Sequence, residues 1–142
     1  MIQYDEDKGE GIKVTTPGVN TPNHLLMEMI CRETGLQLRH MPYNDTNQAL
    51  TAMPGGHADL AIVNLSNVYS QMQPGSVKLL GIPAAERYEN LKDVPTIIEQ
   101  GINVSGGTTF DIYGPAGLPQ EVTAKLTDVF AKSMESEEFQ KL

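Results

Sequence analysis

The chain has 142 residues, of which 39% are hydrophobic and 20% charged, which is typical of a folded domain and unlike a disordered segment. Its formal net charge of −8 opposes binding to a phosphate backbone. The sequence also has no cluster of lysine and arginine residues that could form a basic patch, so we expect no nucleic-acid partner. No apolar run approaches the ~20 residues of a membrane-spanning helix. Cys31 is the single cysteine, which excludes a disulfide within the chain.

The amino-terminal part of the chain begins with an acidic stretch that lacks periodicity, and we expect a flexible lead-in or hinge segment over residues 1–11. A short β-prone run over 12–16 follows. Thr21-Pro22 then has the pattern of a helix start, a hydroxyl cap followed by proline at the first helical position. The predicted helix carries apolar residues on one face and ends at Gly35.

The same unit of strand followed by helix then repeats. Strands are predicted over 36–41, 58–63 and 77–83, and helices over 48–53, from Asn64-Leu65-Ser66 towards Pro74, and over 94–100. The run over 58–63 is continuously apolar, as in a strand buried on both faces. This alternation predicts an α/β fold with a doubly wound, mostly parallel sheet. In such a fold, ligands bind beyond the carboxyl ends of the strands.

After residue 107 the pattern changes. A strand is predicted over 108–113, followed by a rigid turn over 114–119 and a long amphipathic helix, with a second short helix near the end. We therefore expect residues 12–107 to form an α/β ligand-binding lobe. Residues 108–142 are expected to form a return segment that leads to a different lobe.

No motif for catalysis or metal binding stands out. His24, His40 and His57 lack the spacing of metal ligands, and no serine lies in a nucleophile motif. We expect a protein that is not an enzyme and that has no metal and no cofactor. Several helices begin with polar loops, which suit anion capture because unpaired N–H groups and the helix dipole point outwards. Ordinary helix capping explains the spacing of these loops more simply.

Four stretches, taken together, carry a more specific signal. They are Gly18 to Leu25 (GVNTPNHL), Pro42 to Asp59 (PY, then ALTAMPGGHAD), Gly75 to Gly101 (including VKLLG, ER and DVPT), and Pro115 to Pro119 (PAGLP). In that order they resemble the periplasmic substrate-binding proteins of tripartite tricarboxylate transporters, also called the Bug family.

The resemblance implies one lobe of a two-lobed, periplasmic-binding-protein-like (Venus-flytrap) fold. The chain resembles the second lobe and the segment that crosses back, so we expect the first lobe and the signal peptide to lie outside this sequence. The implied partners are a small organic dicarboxylate, tricarboxylate or amino-bearing acid and the integral-membrane permease subunits. The implied location is periplasmic or lipid-anchored outside the cytoplasm. Exposure of the return helix suggests that the fragment alone could form a dimer.

The resemblance also implies the ligand-binding residues. By position they fall in the loop after the first strand and in the loop after the second, and a third pair follows from the architecture alone. The first loop contributes Thr16, Gly18, Asn20, Thr21 and His24; the second contributes Tyr43, Asn44, Asp45 and Thr46; the third contributes Asn64 and Ser66.

The chain departs from the family pattern at several of these positions. Asn20 and Asp45 stand where the family usually has glycine, and Thr109 and Asp111 stand where it usually has tryptophan and glycine. Asparagine tolerates a left-handed backbone, so Asn20 is compatible with the loop. A carboxylate at Asp45, together with Asp111, would repel an anion, and one hypothesis is that it selects a solute with an amino group. The alternative is that Asp45 caps its helix and faces away from the cleft.

Two other classes of function remain open. The stretch Gly56 to Ile62 also resembles the effector-binding domains of LysR-type transcription regulators, which share the two-lobed plan. That interpretation requires a helix-turn-helix, and this chain has none. A small α/β enzyme would require a nucleophile with a base or a metal cluster, and neither is visible in the sequence.

Overall fold

The computed structural model describes residues 11–72, 75 and 77–140, so the lead-in expected over 1–11 lies, apart from Gly11, outside the described residues. The chain divides into two compact units, with the boundary between Thr109 and Phe110. In the first unit the elements are β1 (Ile12–Thr16), α1 (Pro22–Thr34), β2 (Leu38–Pro42), α2 (Thr46–Thr51), β3 (Leu60–Ala61), α3 (Leu65–Met72) and a single 3-10 turn (Glu89–Leu91).

The sheet of the first unit has three strands in the order β2-β1-β3, all parallel. The central strand β1 pairs with β2 from Ile12↔Leu38 to Thr16↔Pro42, and with β3 at Val14↔Leu60. Pro42 is tolerated because it ends an outer strand, where its missing N–H removes no bond from the middle of the sheet. The predicted parallel sheet is therefore confirmed.

Helix α1 follows from local signals that the sequence already contains. The Thr21 side chain accepts a hydrogen bond from the His24 N–H, and Pro22 occupies the first turn. The helix ends at Gly35, whose φ of 72° is a left-handed conformation that favours glycine. On its inner face Met27 packs with Ile12 and Val14 of β1 to form the centre of the hydrophobic core.

Helix α2 covers the other face of the sheet. Successive residues of a strand point to opposite faces, so Thr15 faces away from the core that contains Val14. The Thr15 hydroxyl donates a hydrogen bond of 3.0 Å to the carbonyl of Ala49 in α2, and Thr15 is fully buried. With α1 on one face and α2 on the other, the sheet is doubly wound, and the α/β fold class is confirmed.

The rest of the first unit is less regular than the sequence predicts. The strand expected over 77–83 is reduced to a single bridge between Ile82 and Thr96, because a β-prone segment needs the edge of a neighbouring strand to form a ladder. The helix expected over 94–100 is a series of turns. In these turns Thr96 and Glu99 bond reciprocally through side chain and backbone, as in a capping box, but no helix continues before Gly101.

The second unit has no helix or strand over residues 110–119, and its described part contains two helices after them. It contains α4 (Gln120–Met134) and α5 (Glu137–Gln140), and the Lys132 ammonium lies 2.7 Å from the Asp128 carboxylate one turn earlier. The strand expected over 108–113 is absent, and the Phe110 side chain is 90% exposed. Within the described ranges, none of the helices is both long enough and apolar enough to cross a bilayer.

Replacement of Met27 by alanine tests the core described above. Met27 is 1% exposed, and its loss leaves a cavity against β1, so we expect Met27→Ala to lower the free energy of unfolding by about 2–5 kcal/mol. Met29 lies on the same helix but is 47% exposed, so the matched variant Met29→Ala should change stability by less than about 0.5 kcal/mol. Urea unfolding followed by circular dichroism measures both, and equal losses would contradict the assigned core.

Candidate functional site

The predicted ligand-binding residues lie at the carboxyl edge of the sheet. In each case a strand ends and a loop leads to the next helix: β1 to α1, β2 to α2 and β3 to α3. Parallel strands end at the same edge, so the three loops are neighbours. Two hydrogen bonds connect them: the Tyr43 N–H donates to the Thr16 carbonyl at 3.0 Å, and the Asn23 side-chain amide donates to Asn64 Oδ1 at 3.4 Å.

The loop after β1, residues 17–21, is held by several internal hydrogen bonds, and we call it the first loop. The hydroxyls of Thr16 and Thr21 both donate to the Gly18 carbonyl, each at 3.0 Å. Gly18 has a φ of 155°, and a Cβ atom there would lie 3.1 Å from the Thr21 methyl group. A side chain at position 18 would therefore strain the backbone and press against the helix cap.

Asn20 adopts a left-handed backbone, with a φ of 59°, and it is the non-glycine residue of the described chain that does so. Asparagine is one of the few residue types that adopt this conformation readily, which explains how Asn20 stands where the family usually has glycine. The Asn20 N–H donates to His24 Nδ1 at 3.1 Å. His24 thus holds the backbone of the loop that precedes its own helix.

His40 belongs to the same cluster, although no motif or spacing in the sequence indicates it. Its ring stacks on that of His24, with the ring centroids 4.1 Å apart and the planes 13° from parallel. His40 Nε2 also lies 2.7 Å from Thr16 Oγ1. The alternation of β2 places His40 on the same face as Val14, but only the tertiary fold shows that helix α1 brings a second imidazole there.

The electrostatic environment of His40 favours its neutral form. Burial lowers the pKa of His40 below its ordinary value of 6.5, because the charged ring loses hydration. The neighbouring His24 lowers the pKa further when it is charged, and the Glu28 carboxylate acts in the opposite direction. His24 Nε2 lies 3.5 Å from Glu28 Oε1.

The loop after β3 is connected through Asn64. Asn64 Oδ1 accepts hydrogen bonds from the Asn23 amide and from the Thr108 hydroxyl, both at 3.4 Å. Thr108 lies in the loop over 105–113, which strand–helix alternation also predicts at the carboxyl edge of the sheet. Ser66 makes only a local bond of 3.5 Å to the Asn67 side chain.

The loop after β2 is more exposed. Asn44 and Asp45 are both exposed, and Thr46 begins α2. Asp45 Oδ1 accepts the Gln48 N–H at 2.9 Å and so caps α2, as the alternative to the selectivity hypothesis expects. Asp111 lies in the second unit, where the Tyr113 hydroxyl donates to it at 3.4 Å.

The chemistry of this edge is that of hydrogen bonding to a polar solute. It provides hydroxyls, side-chain amides, imidazoles and helix amino termini. Among residues 11–72, 75 and 77–140, the side chains form no cluster of three or more histidine, cysteine, aspartate or glutamate residues that could hold a metal. A shallow depression of about 390 Å³ lies at the opposite edge, where α1 ends and β2 begins, and it takes no part in this site.

Comparisons with known proteins give the following matches. The family model described as "Tripartite tricarboxylate transporter family receptor" matches residues 1–142. A UPF0065 protein of Bordetella pertussis is 30% identical over 127 residues, which cover 89% of this chain and 39% of that protein. A UPF0065 protein of Cupriavidus necator is 28% identical over 134 residues, covering 94% of this chain and 41% of that protein.

Two solved structures resemble the chain in fold. One is an R. palustris protein solved with adipate, which superposes with a TM-score of 0.87 at 24% identity and covers 97% of this chain and 46% of that one. The other is the periplasmic binding protein BugD, with a TM-score of 0.71 at 26% identity, covering 92% of this chain and 44% of that one. The chain therefore spans less than half the length of these matched proteins.

Replacement of Thr21 tests whether the first loop depends on its cap. Thr21→Ala removes the acceptor for the His24 N–H, which lies 3.3 Å away, and one of the two donors to Gly18. We expect a loss of about 1 kcal/mol in the free energy of unfolding, because an uncapped helix end loses that much on average. Thr21→Ser keeps the hydroxyl and should lose only a few tenths of a kcal/mol. Equal losses in urea unfolding would assign the effect to the methyl group instead.

Proposed function

The chain belongs to the tripartite tricarboxylate transporter receptor family, and we propose that it forms the part of a solute-binding protein that contributes one face of a ligand cleft. This membership confirms the resemblance seen in four stretches of the sequence, and the family fold is the two-lobed α/β fold. The protein captures a small polar solute for a membrane transporter and catalyses no reaction.

One observation carries this proposal: at the carboxyl edge of the sheet, the second and third loops are each hydrogen-bonded to a residue that flanks the first loop, and all three loops lead into helix amino termini. The Tyr43 N–H connects the second loop to Thr16, and Asn64 connects the third to Asn23. A solute that lies across such an edge meets several N–H groups and helix dipoles at once. The first loop already has a defined shape, which lowers the entropy lost when the solute binds.

We propose a carboxylate as the chemical class of the solute. The R. palustris structure that shares this fold was solved with adipate, a dicarboxylate. The helix amino termini at the edge favour negative charge, each by about 0.3–1 kcal/mol. The net charge of −8 does not oppose this binding, because a few donors close to the ligand outweigh a distant surface field.

We further propose that residues 12–107 are the ligand-binding lobe and that 108–142 are the return segment to the first lobe. The apolar side chains of α4 support this assignment, since each is more than one-third exposed and their spacing puts them on one face: Val122, Leu126, Val129, Phe130 and Met134. In the longer relatives the first lobe would cover this face. In its absence two copies of the fragment would pair through it.

The mechanism that follows is capture by closure. The solute binds at the strand ends, the two lobes close around it, and the permease subunits recognise the closed form. We place the protein in the periplasm, soluble or anchored by a lipid; its similarity to BugD, a periplasmic binding protein, supports this location. The matched proteins named above are UPF0065 or solute-binding proteins and include no transcription regulator, which favours transport over the LysR interpretation.

A thermal-shift screen of the intact protein tests the proposed function. We expect stabilisation by dicarboxylates and tricarboxylates, reaching about 2.7 kcal/mol at 100 times the dissociation constant. Amino acids, aromatic acids and polyamines form the comparison set. Gly18→Ala, which strains the first loop, should weaken the shift, whereas Gly107→Ala should not, because nothing lies within 4 Å of a Cβ atom at Gly107. Stabilisation by none of these solutes would overturn the proposal.

A second experiment decides the role of Asp45. We propose that Asp45 caps α2, so Asp45→Ala should lower the free energy of unfolding by about 1 kcal/mol, while Asp45→Asn keeps a capping oxygen and loses little. Asp45→Asn also removes the charge, and we expect the order of solutes in the screen to stay the same. A change of preference from amino-bearing acids to plain dicarboxylates in Asp45→Asn would favour the selectivity hypothesis.

A further inference from the structure

The stacked rings of His24 and His40, which we call the imidazole pair, are more than packing residues. His24 lies in the first turn of α1 and His40 in β2, and each contacts the first loop or the strand end that leads into it. His24 Nδ1 accepts the N–H of Asn20, and His40 Nε2 meets the hydroxyl of Thr16. The pair therefore touches both ends of the loop that the proposed function assigns to the solute.

The bond to Asn20 fixes the protonation state of His24. A backbone N–H can only donate, so His24 Nδ1 must carry a lone pair and not a proton. The neutral ring then carries its proton on Nε2, which faces Glu28 Oε1 at 3.5 Å. If His24 gains a second proton, Nδ1–H points at Asn20 N–H, and the 3.1 Å hydrogen bond becomes a contact between two donors.

Loss of that bond acts directly on the backbone of the first loop. Asn20 is held at a φ of 59°, a conformation that costs free energy in a residue with a side chain. Its N–H bond to His24 offsets that cost. The His40 ring, stacked on that of His24 at a centroid distance of 4.1 Å, limits the positions that the His24 ring can take below this N–H.

We propose that the imidazole pair positions the first loop for solute binding only while His24 is neutral, so that acidification releases the loop and weakens capture. The loop geometry stands on the contacts alone, and the effect on capture rests on the proposed function. His40 is a positioning residue, since it acts through His24 and Thr16.

The charged groups around the pair support this direction. From α1, Glu28 faces the pair and partly favours the charged rings, but its side chain is 58% exposed and so is screened by water. The first loop has no ionisable side chain. Lys13 of β1 and Arg39 of β2 alternate to the opposite face of the sheet from Val14 and His40.

The sign of the pH effect follows from His40. Burial lowers the pKa of His40 from 6.5, so the folded protein binds a proton less readily than the unfolded chain. The associated stability is fully present above the unfolded value of 6.5 and is lost as the pH falls through the lower folded pKa. The loop is therefore expected to loosen on the acidic side of neutrality.

Nuclear magnetic resonance of the intact, ¹⁵N-labelled protein tests the pair without any solute. Two-bond imidazole spectra should show His24 with its proton on Nε2 at about pH 8, and the Asn20 amide should shift with the midpoint of His24 as the pH falls to about 5. In His24→Asn, the side-chain oxygen can accept the Asn20 N–H and does not titrate, so the Asn20 amide should lose that titration. His57→Asn replaces an exposed histidine and should leave the titration of the Asn20 amide unchanged.

A second arm measures capture with adipate as the probe. We expect the affinity to fall about tenfold between about pH 8 and about pH 5, and the fall to be about twofold or less in His24→Asn. A proton on His24 Nδ1, or an Asn20 amide that does not follow His24, would overturn the proposal whatever adipate does. An Asn20 amide that follows His24 without any adipate binding would uphold the positioning and count against the proposed ligand alone.

Discussion

The central strand β1 is the constraint on which the rest of the first unit depends. It is paired on both sides and covered on both faces, so its last residues, Thr15 and Thr16, are fully buried although both are polar. A buried hydroxyl must find a partner, because an unsatisfied one costs about 1–3 kcal/mol. Thr15 bonds to α2 and Thr16 to the first loop, so the burial of one strand end fixes the position of both.

The geometry of the first loop follows from this requirement step by step. Thr16 directs its hydroxyl to the Gly18 carbonyl, and Gly18 is needed because a side chain would press on Thr21. Thr21 bonds to the same carbonyl and caps α1, which brings His24 under Asn20. Thr16, Gly18, Asn20, Thr21 and His24 therefore each have a physical reason for their residue type, and these residues act as a single unit and not as a set of independent ligands.

Local sequence signals predict part of the structure of helix α1 and of the first loop. The hydroxyl, proline and glycine that bound α1 act within a few residues, and the left-handed tolerance of Asn20 is a property of the residue itself. Contacts between distant segments were not predictable. His40 joins the site only because α1 brings His24 onto its ring, a contact between two elements that chain order does not reveal. The prediction of a strand over 77–83 was wrong for the same reason, since β-propensity does not reveal whether the edge of a neighbouring strand is available for pairing.

The hydrogen bonds of the first loop also distinguish two roles, shaping the loop and binding the solute, whereas the sequence pattern placed Thr16 and Thr21 among the ligand-binding residues. A hydroxyl has one proton, and those of Thr16 and Thr21 both point to the Gly18 carbonyl, so neither is available to donate to a carboxylate. These two residues shape the loop, and an anion at this edge must be bound by other donors, such as backbone N–H groups and side-chain amides. In the proposed function, selectivity would then depend on the shape of the backbone that the left-handed Asn20 and the His24 imidazole hold in place.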